Sequence, residues 1–112
     1  MRLVGTVIGL IVLFAAVGRA ADDATGARLF AERCSGCHGD DGKGDGPAAA
    51  ALVPKPRNFH DAAFWRDRKP EDLKTIVKRG KPGTMMPGFD GVLSDAEIDA
   101  ALARVRRFAP AP

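Results

Sequence analysis

Apolar positions along this chain fall in four blocks, separated by stretches rich in glycine and proline. The first block is continuous, running from Leu3 to Val17 and broken only by Gly5, Thr6 and Gly9. The other three are periodic. Leu29 and Phe30, with Cys34 one turn beyond Phe30, make one stripe; Leu73, Ile76 and Val77 make a second; Ile98, Ala101, Leu102, Val105 and Phe108 make a third. Spacings of three and four residues put each set on one side of an α-helix, so three helices with buried faces are expected.

The ends of these helices can also be read. Asp23 or Thr25 caps the first, Asp22 and Asp23 suit its positive end and Arg33 its last turn, so it runs to Cys34. The second opens at Lys69-Pro70-Glu71-Asp72 with proline at its first position and closes with Lys78 and Arg79 before Gly80, which predicts Pro70 to Arg79. Ser94-Asp95-Ala96-Glu97 is a capping box that opens the third. Arg104, Arg106 and Arg107 lie toward its negative end, and it should stop near Phe108, ahead of a frayed tail from Ala109 to Pro112.

Between the helices the composition forbids regular structure. Gly39 to Pro47 holds four glycines and three aspartates in nine residues and reads as a solvated loop; its aspartates do not have the spacing of a calcium loop. Ala48 to Val53 can make one helical turn before Pro54-Lys55-Pro56 enforces an extended path. Phe59, His60, Phe64 and Trp65 follow as an aromatic wall, and Lys81 to Phe89 is a second irregular loop with Met85 and Met86 at its middle. There is no β pattern and no internal repeat. The fold class expected is all-α, a small domain of about three to four helices and long loops.

Charge alters one part of this picture. The N-terminal block follows Met1-Arg2 and ends at Gly18-Arg19-Ala20, the make-up of a secretory signal cut after Ala20. This divides the chain into residues 1–20, a signal peptide, and residues 21–112, the domain; an uncleaved membrane anchor is the alternative. Cleavage reduces the 17 basic residues to 15 against an unchanged 14 acidic ones, and the net charge falls from +3 to +1. The basic character of the whole chain is therefore no argument for nucleic-acid binding. The expected destination is the periplasm, with no stable membrane insertion once the signal is cleaved.

The chemistry is concentrated in Cys34-Ser35-Gly36-Cys37-His38. Two thiols at this spacing can add across the two vinyl groups of one porphyrin, and the next residue then lies beneath the iron, so covalent haem with His38 as proximal ligand is expected. A thioredoxin-like redox motif would want a βαβ pattern around it, and a zinc site a second pair of ligands. Neither is present: the chain has only these two cysteines, and His60 is its only other histidine.

With these residues in view, the chain resembles the class I, single-haem cytochromes c over nearly all of residues 21–112. Gly26 and Phe30 precede Cys34 by eight and four residues, as in the family's N-terminal helix where it crosses the C-terminal one, with Leu102 and Val105 as partners. The resemblance implies a cytochrome c-like fold around one covalent haem c held by Cys34 and Cys37, with iron ligands His38 and Met86. It implies that Pro47, nine residues after His38, accepts the hydrogen bond of the proximal imidazole. Met86 directly precedes Pro87, as the family's distal ligand does, and Met85 is left as a gap-filling core side chain. Pro54 to Phe59 is similar to a stretch in a proteobacterial branch of such cytochromes.

A thioether opposite an imidazole favours iron(II) and raises the reduction potential, and two filled axial positions argue against catalysis at the iron. The function implied is a periplasmic electron carrier, not an enzyme. A haem subunit docked on a periplasmic oxidoreductase, and a haem sensor or peroxidase-like enzyme without the distal methionine, are the alternatives. Arg57 is a candidate to pair with a haem propionate, against a solvated arginine after a proline bend. Trp65 reads as a wall residue and His60 as a surface histidine. Arg66, Arg68, Lys69, Lys74, Lys78, Arg79 and Lys81 form a basic run that could steer an acidic redox partner, or simply be a solvated helix face.

Overall fold

The structure, a computed structural model, describes Gly18, Arg19 and residues 22–112. The apolar run from Leu3 to Val17 and the cleavage point after Ala20 lie outside the described residues. Helix α1 covers residues 22–33, α2 Ser35–His38, α3 Ala62–Trp65, α4 Pro70–Arg79 and α5 Asp95–Arg106, with a 3₁₀ turn at Ala49–Ala51. Among the described residues there is no strand, only an isolated bridge between Asp90 and Leu93, and no helix is long and apolar enough to cross a membrane. The all-α expectation holds; the two four-residue helices α2 and α3 are additions to it.

Helix α1 ends where the cysteine motif begins, as expected, but helical structure resumes within the motif. The amide of Cys34 donates to the carbonyl of Phe30 at 2.9 Å and that of His38 to Cys34 at 2.9 Å, so helical bonding carries through the motif as α2. The break between them is at Cys34, whose φ of −120° departs from the helix while the Ser35 hydroxyl donates back to the Ala31 carbonyl at 2.7 Å. α3 is capped by Asp61, whose carboxylate accepts from the Ala63 amide at 3.0 Å. α4 starts on Pro70 and stops at Gly80. α5 carries the complete capping box: Ser94 accepts from the Glu97 amide and Glu97 accepts from the Ser94 amide.

Three elements close on one core. α1 crosses α5 at Gly26, where any Cβ would strike the Ala100 carbonyl; glycine is what permits the backbones to approach so closely. Leu29 and Phe30 then join Leu102 and Val105 in a single buried cluster with Phe59, Phe64, Leu73 and Ile98. Ile98 has no exposed surface, a burial that contributes about 1.5–3 kcal/mol. α4 lies along α5, its outer edge fastened by Lys74 to Asp99 at 2.9 Å and Lys78 to Asp95 at 3.0 Å. Phe108, past the end of α5, packs its ring 5.2 Å from that of Phe30.

Candidate functional site

The cysteine motif, the stretch 52–59 and the loop 81–89 face one another across a cavity of about 250 Å³. Cys34, at the N-cap of α2, and Cys37 and His38, within it, line one side, and Met85 and Met86 line the other from the opposite loop, with Phe30, Leu52, Pro54 and Phe89 as apolar wall. A second, smaller cavity shares His38, Arg57, Phe59 and Met86 with the first and reaches the core at Leu102 and Val105.

The imidazole of His38 is held from two directions. Its ring stacks on Phe59, centroids 4.6 Å apart and planes 17° from parallel. Its Nδ1 faces the carbonyl of Arg57 at a long 3.4 Å. A carbonyl can only accept, so this contact favours the tautomer with the proton on Nδ1 and the lone pair on Nε2, the one a metal ligand needs. Burial lowers the imidazole's pKa from its ordinary value, and the Arg57 carbonyl opposes this; the neutral, ligating form is thereby favoured.

The hydrogen-bond partner differs from the one the resemblance implied. Pro47 is exposed and does not line the cavity. The residues on either side of it are pinned to the backbone of α2, Gly46 donating to Cys37 at 3.0 Å and Ala48 to Gly36 at 2.9 Å. Pro47 is thus part of a brace behind the helix, and the carbonyl opposite Nδ1 is that of Arg57. Arg57 reaches this place because Gly44 lets the aspartate-rich loop run against it: a side chain at Gly44 would strike the carbonyls of Pro56 and Arg57. Phe59 donates its amide to Gly42 at 2.8 Å, and His60 donates from Nε2 to the Asp41 carbonyl at 2.6 Å, closing the same seam.

Sequence reasoning gave Arg57 a role through its side chain and had no signal for its carbonyl. The guanidinium itself lies 5.1 Å from the centre of the Phe64 ring, with Arg68 at 4.8 Å. Trp65 donates its indole N–H to the Phe59 carbonyl at 2.7 Å, which fixes the wall behind His38. His60, committed to Asp41, is not among the residues lining the cavity.

The Cys34 thiol is not poised for nucleophilic exchange. Burial, with Cys37 beside it, pushes the Cys34 thiol up to about 11, whereas a disulfide-exchanging or zinc-binding cysteine has a lowered pKa. A neutral thiol in apolar surroundings fits conversion to a thioether, which never carries charge.

The methionine loop is tied down at both ends. Phe89 and Asp90 donate to the carbonyls of Val77 and Lys78 on α4, at 2.9 and 3.0 Å, and Lys81 donates to the Met86 carbonyl at 3.3 Å. The Thr84 hydroxyl donates to Lys81 and accepts from the Met86 amide at 3.2 Å. Met86 is partly buried and lines both cavities; Met85 is 72% exposed. Met85 therefore does not fill a core gap, contrary to expectation, because a loop pinned at Met86 turns its neighbour outward.

Residues 21–103 match the family described as "Cytochrome C oxidase, cbb3-type, subunit III". The chain belongs to this family of c-type cytochromes. It is 31% identical over 101 residues to cytochrome c55X of Stutzerimonas stutzeri, covering 88% of this chain and 78% of that one. It is 34% identical over 112 residues to the dihydro-heme d1 dehydrogenase of Pseudomonas aeruginosa, covering 98% of this chain. The cytochrome spans only 20% of that dehydrogenase's length. Among solved structures, the c-type cytochrome KustC0563 matches with a TM-score of 0.63 at 30% identity, over 76% of this chain and 98% of its own. The cofactor is covalently bound haem c and the function of the domain is electron transfer. Two thiols, an imidazole and a thioether around one cavity fit that group.

Proposed function

We propose that the cytochrome is an exported, periplasmic one-electron carrier with a single haem c, attached through Cys34 and Cys37 and ligated by His38 and Met86. The observation that carries this is the meeting of all four side chains at one cavity, with Nδ1 of the imidazole turned to the Arg57 carbonyl. When bound, haem c supplies a one-electron iron(III)/iron(II) couple. The protein's part is to hold that couple in one geometry. The Phe59 ring and the Arg57 carbonyl fix the plane of the imidazole, Thr84 and Lys81 fix the methionine loop, and the apolar wall limits water. His38 and Met86 together would leave the iron no open position for a substrate, which is the reason to read a carrier and not an enzyme. Its partners are redox proteins with an acidic face.

A second reading is favoured by one fact: the family takes its description from an oxidase subunit, and the dehydrogenase relative is about five times longer than the stretch this chain matches. The domain would then work docked on an oxidoreductase. Absorption spectra of the pure oxidised and reduced protein, with its intact mass, test the main reading. The expected result is a mass equal to residues 21–112 plus one haem and a six-coordinate spectrum in both states; a mass without haem, or a ferrous form that promptly binds carbon monoxide, overturns it.

A further inference from the structure

We infer that Trp65 is a positioning residue for the proximal ligand: its indole N–H holds the Phe59 carbonyl, and with it the place of the Arg57 carbonyl at Nδ1 of His38, and so helps set the reduction potential. This rests on the reading of His38 as an iron ligand and goes beyond it by naming what governs the strength of that ligand.

The stretch from Arg57 to Phe59 offers His38 two things, the Arg57 carbonyl at 3.4 Å from Nδ1 and the Phe59 ring at 4.6 Å between centroids. Besides the bond from the Phe59 amide to Gly42, the stretch is gripped by the short helix α3. Trp65 donates its indole N–H to the Phe59 carbonyl at 2.7 Å. The Phe64 ring lies 5.4 Å from that of Phe59 and 5.1 Å from the Arg57 guanidinium. α3 is in turn placed by its own cap, the Asp61 carboxylate on the Ala63 amide. Trp65 lines neither cavity, and its one N–H is committed to Phe59, so it acts on the ligand through the main chain and not by touching the bound group.

The indole bond matters because of where it is made. Phe59 is buried and Trp65 half-buried, so without that donor the Phe59 carbonyl is an acceptor with no partner and must turn toward water. Arg57 and Asn58 are exposed and follow easily. The contact at Nδ1 is already at the edge of hydrogen-bond range, so a movement of about 0.2 Å is enough to lose it. An acceptor at Nδ1 makes the imidazole a more basic ligand and favours iron(III); its loss favours iron(II). Removing the indole N–H should therefore raise the reduction potential.

The test separates the N–H from the ring. The chain has one tryptophan, so an analogue fed to a tryptophan-requiring host replaces this residue alone. Benzothienylalanine keeps the shape of the indole and puts sulfur in place of N–H. In the haem-loaded protein that carries it, the ratio of reduced to oxidised protein against a fixed mediator should rise about threefold. The Nδ1 proton of His38, followed by proton magnetic resonance of the ferric form, should exchange with solvent about tenfold faster, having lost its acceptor. A fluorinated tryptophan, a stronger donor of nearly the same shape, should move both readings the other way and by less, and it tests the role even if the sulfur analogue does not take up haem. A part in packing alone would lower the urea midpoint and leave the ratio and the exchange as in the parent. That result, a fall in the ratio with the sulfur analogue, or shifts of one sign from both analogues overturns the positioning role. If the parent holoprotein shows no His38 ring proton shifted by the iron, the ligand reading itself falls, whatever the analogues do.

Discussion

The Arg57 carbonyl stands 3.4 Å from Nδ1 of His38, and the Phe59 ring, two residues along, lies flat against the same imidazole. One short extended stretch thus sets the plane of the proximal imidazole and gives its Nδ1 an acceptor. Phe59 is held in turn by the Gly42 carbonyl at its amide and by Trp65 at its own carbonyl. Phe59→Leu keeps an apolar side chain but removes the stacked face, and should destabilise the holoprotein by about 1–2 kcal/mol. Urea midpoints measured on the two haem-loaded proteins check this; equal midpoints would mean that the ring carries no packing energy.

The crossing of α1 and α5 depends on the absence of a side chain at Gly26. Gly26→Ala gains helix propensity, worth about 1 kcal/mol in an exposed helix, but drives a methyl into the Ala100 backbone carbonyl. Overpacking against backbone costs about 1–3 kcal/mol, so the net effect expected is a loss, read as a lower thermal midpoint. A higher midpoint would show that the two helices can part at no cost.

The start of α5 makes part of the stability depend on pH. Bonds from Ser94 hold the Glu97 carboxyl below its usual range, and Lys78 does the same for Asp95. A carboxyl whose folded pKa is depressed contributes stability that is complete above its unfolded value, near pH 4, and is lost as pH falls through the folded value. The chain should accordingly lose resistance to urea between about pH 5 and pH 3. Ser94→Ala should cost about 1 kcal/mol at neutral pH, whereas Glu97→Gln, which removes the titrating carboxyl but keeps an acceptor for the Ser94 amide, should flatten that acid slope. An unchanged slope would place the pH dependence elsewhere.

What the residues disclosed and what they hid follow from the kind of signal each carries. α4 and α5 could be bounded to within two residues because proline, a capping box and Gly80 mark their ends in side-chain chemistry. α2 and α3 are four residues each, shorter than the two turns a hydrophobic period needs, so Ser35–His38 looked like a motif and Ala62–Trp65 like a wall. The cysteines, His38 and both methionines could be named as candidates from their element chemistry alone. The Arg57 carbonyl could not, since every residue has one and only the path of the backbone makes it special. Gly44, pressed against that path, was the trace left in the sequence, but four glycines in one loop gave no reason to single it out.

The two adjacent methionines differ in surroundings, and this separates them by experiment. Met86 has its amide bound to the Thr84 hydroxyl and its carbonyl to the Lys81 amide, and it lines both cavities; Met85 points to solvent. If Met86 is the distal ligand, Met86→Ala removes a soft neutral donor that favours iron(II), so the reduction potential should fall. The coordination position it opens should let the ferrous protein bind carbon monoxide promptly. Met85→Ala should leave the spectrum and the potential as they were, because it removes an exposed side chain with no part in the loop's hydrogen bonds. Thr84→Val is the intermediate case: the sulfur remains, the bond to the Met86 amide is lost, and a loosened ligand should show as partial carbon monoxide binding at an otherwise normal spectrum. Should Met85→Ala produce the change and Met86→Ala none, the ligand assignment moves by one residue.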